Sequence, residues 1–297
     1  MSHYCYISIR SLPPFFEHHS RVVYSKIEDV EANNSIKHPG VSACLRFLRI
    51  NDGLEIHHDG DLPARSGIGS SSAFTVGLLL GLYALRHTAI AQSTLAKEAI
   101  IVEQSLLNES VGIQDQIMSA FGGLRIVNMG PDSEWSANPV ILPREYRREL
   151  ESHLLLGFSG VSRNATEYAS QKVANITSRK NEAELYEIQQ MTEEAIDLFQ
   201  KQAPIVELGR LLKKSWGAKT RLSSGLSNPI FKDIIDTGVR NGAFGGKLMG
   251  AGGGGFFYFL APPQMHHKIK ASLPQVKVWV PVEFDRGGAQ IIFSSEH

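Results

Sequence analysis

The chain has 297 residues, of which 42% are apolar and 20% charged, with 30 basic side chains against 30 acidic ones. That much apolar material can bury a large core, which excludes intrinsic disorder, and zero net charge excludes a general attraction to nucleic acid, leaving only a local basic patch. Two cysteines, Cys5 and Cys44, are too few to staple a fold of this size and point to a reducing cytoplasm, where each serves as a small buried hydrophobe.

Met1–Arg10 lacks the apolar run of a signal peptide. The longest apolar run, Ala73–Leu85, falls short of the roughly 20 residues of a membrane helix, so no membrane partner is expected. Residues 3–10 and 20–26 are rich in β-branched and aromatic side chains and read as neighbouring strands across a proline loop. Val41–Ile50 has helical spacing, Leu54–His57 alternates as a strand, and Pro63–Gly69 is a loop. Ser70–Arg86 is apolar nearly all round, which predicts a buried helix. Ser93–Asn108 is an amphipathic helix with Ser93 or Thr94 as its N-cap. A second half opens near residue 150 with a strand at Ser152–Phe158. Helices follow at Asn164–Asn175, Asn181–Lys201, Val206–Trp216 and from Asn228-Pro229 to Arg240, Pro229 taking the first helical position. Phe244–Leu260 reads as two short strands around a glycine tract, and Gln275–Phe293 as further strand-like pieces. Mixed order without repeats predicts an α+β architecture in two lobes, 1–150 and 151–297.

Much of the glycine excess sits in two knots. The first, Leu62-Pro63-Ala64-Arg65-Ser66-Gly67-Ile68-Gly69-Ser70-Ser71-Ser72-Ala73, runs directly into the apolar helix. A helix start leaves backbone N–H groups without intrahelical partners and carries partial positive charge, while glycine lets a ligand approach the backbone; an anion, most naturally a phosphate, fits there. A loop followed by an ordinary serine cap has the same appearance. The second knot runs from Gly245 to Gly255 and leads into Phe256–Phe259. Gly250–Gly255 satisfies G-x-G-x-x-G, but that dinucleotide pattern requires a helix afterwards, and here a strand is predicted. Gly246-Lys247 resembles part of a Walker loop, yet Asn241 and Leu248 stand where that motif needs glycine and Ser or Thr. A β-hairpin with a glycine tip, where side chains would obstruct something, is the simpler reading.

Between the knots, Asp115 follows Val111-Gly112-Ile113-Gln114, and Glu103 follows Ala99-Ile100-Ile101-Val102. A carboxylate in such weakly polar surroundings is costly without a partner. Beside a phosphate-type loop the pair suggests a divalent cation and a catalytic acid or base; each taken alone reads first as a structural hydrogen-bond partner.

Together these residues carry a resemblance. Pro63 with Gly67–Ala73 resembles the phosphate loop of the GHMP small-molecule kinases, Lys247–Gly255 resembles that family's C-terminal motif, and Gly112–Gln116 is similar to the segment bearing the catalytic aspartate in galactokinases. Tyr4–Ser8, Leu12–Phe16, Arg21–Lys26 and Leu222–Ser227 look most like bacterial D-glycero-D-manno-heptose 7-phosphate kinases. The resemblance implies a ribosomal-protein-S5-like N-terminal lobe and a ferredoxin-like C-terminal lobe. It implies ATP phosphates on Arg65, Ser66, Gly67, Ile68, Gly69, Ser70, Ser71 and Ser72, Mg²⁺ on Ser71 and Glu103, and Asp115 deprotonating the sugar hydroxyl. Gly250, Ala251 and Gly252 would shape the substrate site. The implied reaction phosphorylates heptose 7-phosphate at C1; the alternatives are a kinase of a neutral sugar of fucose or galactose type and a catalytically impaired nucleotide-binding relative. A cytoplasmic enzyme, with a homodimer among the assemblies to be considered, completes the expectation.

The family's first motif, a strand and loop with Pro-x-Arg and a Gly-Gly-Gly-Thr-Asp type turn, has no counterpart in the chain. The expectation is a start codon set too late, the alternative a shortened relative; either way a core sheet lacking a strand would have an unpaired edge or an apolar groove. Weaker signals are His57-His58-Asp59 and Glu17-His18-His19, read as solvated because adjacent strand residues face opposite ways, and Arg163, Lys219 and Lys247, cations suited to a sugar phosphate. Asn164-Ala165-Thr166 matches a glycosylation acceptor without a secretory signal to give it meaning.

Overall fold

The computed structural model describes residues 1–64, 66–130, 134–160, 181–222, 229–250 and 254–295. The helix expected at Asn164–Asn175, the acceptor at Asn164, and Arg163, Arg65, Ala251 and Gly252 lie outside the described residues.

The chain divides into two compact units. One comprises His3–Ala64, Gly69–Ala137 and Asp285–His297, and the other Met1–Ser2, Arg65–Ile68 and Asn138–Phe284. Compared with a boundary at 150, residues 138–150 go with the second unit and the C-terminal segment with the first.

The first unit has a four-stranded sheet in the order β1 (Cys5–Ser11), β4 (Leu54–Gly60), β2 (Ser20–Val23), β3 (Ile27–Val30). β2 runs parallel to β4 and the other pairs are antiparallel, with Ile9 opposite Ile56. The strand read as 20–26 is broken: Val23 is the last paired residue of β2, and the chain turns to build β3, absent from the sequence reading. Helix α1 (Pro39–Phe47) precedes β4 and α2 (Ser70–Leu85) follows it. Uniform apolarity buries α2 as expected: Val76, Leu78, Leu79 and Leu82 are fully enclosed. Its small residues meet β1, where a side-chain carbon at Gly77 would stand 3.3 Å from Ile7.

The helix predicted at 93–108 differs in two ways. It is α3 (Gln92–Ile101), capped at Ala91 without a side-chain bond, so neither Ser93 nor Thr94 serves as the cap. It then widens into a π-turn at Val102–Leu106. Helix α4 (Gln114–Phe121) and a hairpin of β5 (Arg125–Met129) and β6 (Trp135–Pro139) complete this unit, none of them legible as elements beforehand.

The second unit packs helices on an antiparallel sheet ordered β10 (Val278–Val280), β7 (Leu154–Phe158), β9 (Phe256–Leu260), β8 (Gly245–Leu248). The strand begins at Leu154 because residues 144–153 form helix α5. Helices Glu182–Gln200, Ile205–Leu222 and Pro229–Arg240 lie where periodicity put them, the second extending past Trp216. Phe257, Phe259, Leu248 and Ile269 centre the core. Of the strand-like stretch 275–293 only Val278–Val280 pairs; the rest of the chain to 284 finds no ladder, and Asp285 onward joins the first unit.

Candidate active site

In the first unit, the site gathers around the start of α2. Gly69 caps that helix in the left-handed region, φ 77°, and its carbonyl accepts from the Ala73 N–H at 2.9 Å. The next residues diverge: Ser71 is exposed, while Ser72 is buried and points inward. Ser72 Oγ donates to Glu103 Oε2 at 2.9 Å, and Gln116 Nε2 donates to the same oxygen at 2.5 Å.

Glu103 is wholly buried, and its other oxygen, Oε1, and Oε1 of Gln116 have no hydrogen-bond partner. Burial pushes its pKa upward, and side-chain hydrogen bonding pulls part of that rise back. Two orphaned oxygens in a dry setting are a costly arrangement, and their chemistry suits a hard cation, which takes oxygen ligands. Glu103 is carried in the first turn of the π-helical segment, directly after α3. Gln104, next along it, donates from Nε2 to the Val111 carbonyl at 2.8 Å and so ties down the loop that leads into α4.

Asp115 stands in the first turn of α4. A side-chain carbon built at Gly69 would lie 3.2 Å from Asp115 Cγ and 3.5 Å from Oδ2, so the carboxylate sits against the loop at the mouth of α2. It keeps an exposed surface, yet the protein crowding its other sides raises its pKa by desolvation; access to water limits that rise.

In the second unit, β8 and β9 form the expected hairpin, with Leu248 opposite Phe257. Its glycine turn grips the first part of the phosphate-type loop. Phe256 N–H donates to the Ser66 carbonyl at 3.3 Å, and Met249 N–H to the Phe256 carbonyl at 2.9 Å. Gly250, at φ 65°, lies so close that a side-chain carbon on it would be 2.6 Å from the Gly67 Cα. Ser66 is fully buried by this contact.

Of the weaker signals, His57 bonds to Glu55 at 2.7 Å while His58 packs edge-on to Phe74, on opposite faces as expected. His19 bonds to the Asn51 carbonyl at 2.8 Å. Among the described residues no group of three or more His, Cys, Asp or Glu could hold a metal ion. Lys247 lies on β8 opposite Tyr258, and the Lys219 ammonium donates to backbone carbonyls of the glycine turn. Sequence reasoning missed the roles of Ser72, Gln116, Gln104 and Lys219. Their spacing carries no local signal, because each meets a partner at least seven residues away.

Residues 36–123 match the family model described as GHMP kinases N terminal domain, and residues 195–276 that described as GHMP kinases C terminal. The chain is 30% identical over 201 residues to a D-glycero-alpha-D-manno-heptose 7-phosphate kinase of Campylobacter jejuni, covering 67% of this chain and 58% of that protein. It is 28% identical over 208 residues to an L-fucokinase/L-fucose-1-P guanylyltransferase of Bacteroides fragilis, covering 67% of this chain and 21% of that one. The matched stretch therefore spans little more than half of the first relative and about a fifth of the second. Its fold is similar to the crystal structure of a D-glycero-D-manno-heptose 1-phosphate kinase from Bacteroides thetaiotaomicron, with TM-score 0.71 at 20% identity over 99% of this chain and 89% of that one.

Proposed function

Given that the chain belongs to the GHMP kinases, we propose that it transfers the γ-phosphoryl group of ATP to a sugar phosphate, D-glycero-D-manno-heptose 7-phosphate at its C1 hydroxyl. The observation that carries this is the Asp115 carboxylate lying against Gly69 at the mouth of a buried helix. A helix start binds phosphate through backbone N–H groups and its dipole, and phosphoryl transfer asks the protein mainly for positioning and charge neutralisation. In this reading the loop 65–72 holds the ATP phosphates and Asp115 accepts the proton of the C1 hydroxyl. The hydroxyl oxygen attacks the γ-phosphorus, the bond to the β-phosphate oxygen breaks, and ADP leaves with heptose 1,7-bisphosphate as product. A carboxylate with a raised pKa is a stronger base, so desolvation of Asp115 favours this role.

Mg²⁺ belongs to the same reading, with Glu103 and Ser71 as its protein ligands. The orphaned Glu103 Oε1 supports it, and so does the habit of this ion of taking one or two carboxylates and completing its shell with phosphate and water. When bound, the ion neutralises phosphate charge. Glu103→Gln separates this from a purely structural role. We expect Mg²⁺-dependent ATP binding to weaken about tenfold through loss of a charge-assisted contact. The ligand-free protein should melt no lower than wild type, since a buried charge has been removed. A large drop in melting temperature with unaltered ATP affinity would make Glu103 a structural residue.

The heptose phosphate is favoured by the 30% identity to the Campylobacter protein, and a neutral sugar of fucose type by the 28% identity to the Bacteroides one. Purified protein with Mg²⁺, ATP and, separately, heptose 7-phosphate, fucose and galactose decides between them through ADP release. Turnover only with heptose 7-phosphate is the expected result. Turnover only with a neutral sugar overturns the substrate, and ATP binding without turnover on any sugar marks a nucleotide-binding relative. No described helix is long and apolar enough to cross a membrane, and we assign the enzyme to the cytoplasm.

A further inference from the structure

Lys219 is placed to control the loop from the far side of the glycine turn. It belongs to the last turn of helix Ile205–Leu222, which Trp216, Ala218 and Leu222 anchor in the core. Its ammonium donates to the Gly250 carbonyl at 2.7 Å and to the Leu248 carbonyl at 3.3 Å. The two acceptors flank Met249, whose N–H is bonded to the Phe256 carbonyl, while Phe256 N–H reaches Ser66. A cation on carbonyl oxygens makes a stronger bond than a neutral donor, and an ammonium with three N–H groups can serve two carbonyls at once. Gly250 and Gly67 meet backbone to backbone, so no side chain can adjust to take up a shift between them. Displacement of the turn therefore passes directly into Ser66 and Gly67.

We propose that Lys219 is a positioning residue: by clamping the Leu248 and Gly250 carbonyls it sets the place of Ser66 and Gly67, and through them the entry of the phosphate loop. The proposal rests on the kinase reading of that loop, and it gives this lysine a role different from binding a sugar phosphate. Backbone that carries catalytic contacts tolerates little displacement, since an error of about 1 Å can cost 10²-fold.

The test compares Lys219→Met, which keeps most of the stem and loses the donors, with Lys219→Arg, which keeps several donors. Three quantities are read on the full chain: amide hydrogen exchange, melting temperature and equilibrium affinity for ATP. In Lys219→Met, exchange at Met249 and Phe256 should speed up about tenfold or more and ATP affinity fall about tenfold, as the loss of charge-assisted hydrogen bonds predicts. Exchange at Leu78 and Leu79, in the core of the first unit, should stay at the wild-type rate, and Lys219→Arg should recover most of the affinity. Unchanged exchange at Met249 and Phe256 overturns the proposal. So does faster exchange with wild-type ATP affinity, which would make Lys219 a brace of local stability alone. The kinase reading fails separately: a wild-type chain that binds ATP yet phosphorylates no sugar removes that reading, while exchange and affinity still decide the role of Lys219.

Discussion

Asp115→Asn should lower turnover by about 10³-fold while leaving ATP affinity near the wild-type value. An amide of the same shape preserves the contact with Gly69 but cannot accept the hydroxyl proton, and general base catalysis contributes about 10²–10⁴-fold. Steady-state turnover beside equilibrium ATP binding checks this. A variant with wild-type turnover removes Asp115 from its role; one that loses ATP binding makes the carboxylate part of the nucleotide site instead. The wild-type pH profile carries a linked expectation. The base must be ionised to act, and desolvation raises its pKa above the ordinary 3.8. Activity should therefore fall on acidification through a limb lying above that value, and the limb should vanish from the residual activity of Asp115→Asn.

The largest expected loss of stability is that of Gly255→Ala. Gly255 lies at φ 103°, outside the conformations other residues adopt, and a side-chain carbon there would overlap the Ser66 carbonyl. Strain of that kind and overpacking each cost about 1–3 kcal/mol, so a combined loss of about 2–6 kcal/mol is expected, together with weaker ATP binding as Ser66 is pushed aside. Gly123→Ala is the matched control. Its φ of 74° is also positive, but nothing stands within 4 Å of the added carbon, so only the strain remains, about 1 kcal/mol. Chemical denaturation measures both. Equal losses in the two variants would show that backbone conformation alone, and not the contact with Ser66, requires glycine at 255.

Much of the N-terminal unit's helix α2 and the β8–β9 hairpin could be read directly, because the information is local. An apolar run of helical length must be buried, and a glycine tract between apolar strands must turn. Glu103 and Asp115 could be singled out for the same reason: a carboxylate inside an apolar stretch contradicts its surroundings. What surrounds them could not be read. Ser72 on α2 and Gln116 on α4 converge on one oxygen of Glu103, which lies on a third element, and the π-turn that carries Glu103 has no periodicity of its own. The predicted cap at Ser93 is not used: the helix starts at Gln92 with exposed Ala91 as its cap, and no side chain bonds there.

The C-terminal stretch shows the same division. Residues 275–293 have strand composition throughout, yet a strand exists only where a neighbour offers its edge, and β7 offers one only to Val278–Val280. Beyond it Gly123 N–H takes the Asp285 carbonyl, and Gly288 packs against Ala120, which seats the tail in the unit built by the opening residues. Composition and short-range pattern pointed to the buried helix α2, the glycine hairpin, a loop suited to an anion and two acids out of place, since those depend on neighbours along the chain. The partners of Glu103, the grip of the glycine turn on Ser66 and Gly67, and the clamp by Lys219 came only with the folded chain. Hydrogen bonds and close packing form between groups brought near in space, and no spacing along the backbone encodes them.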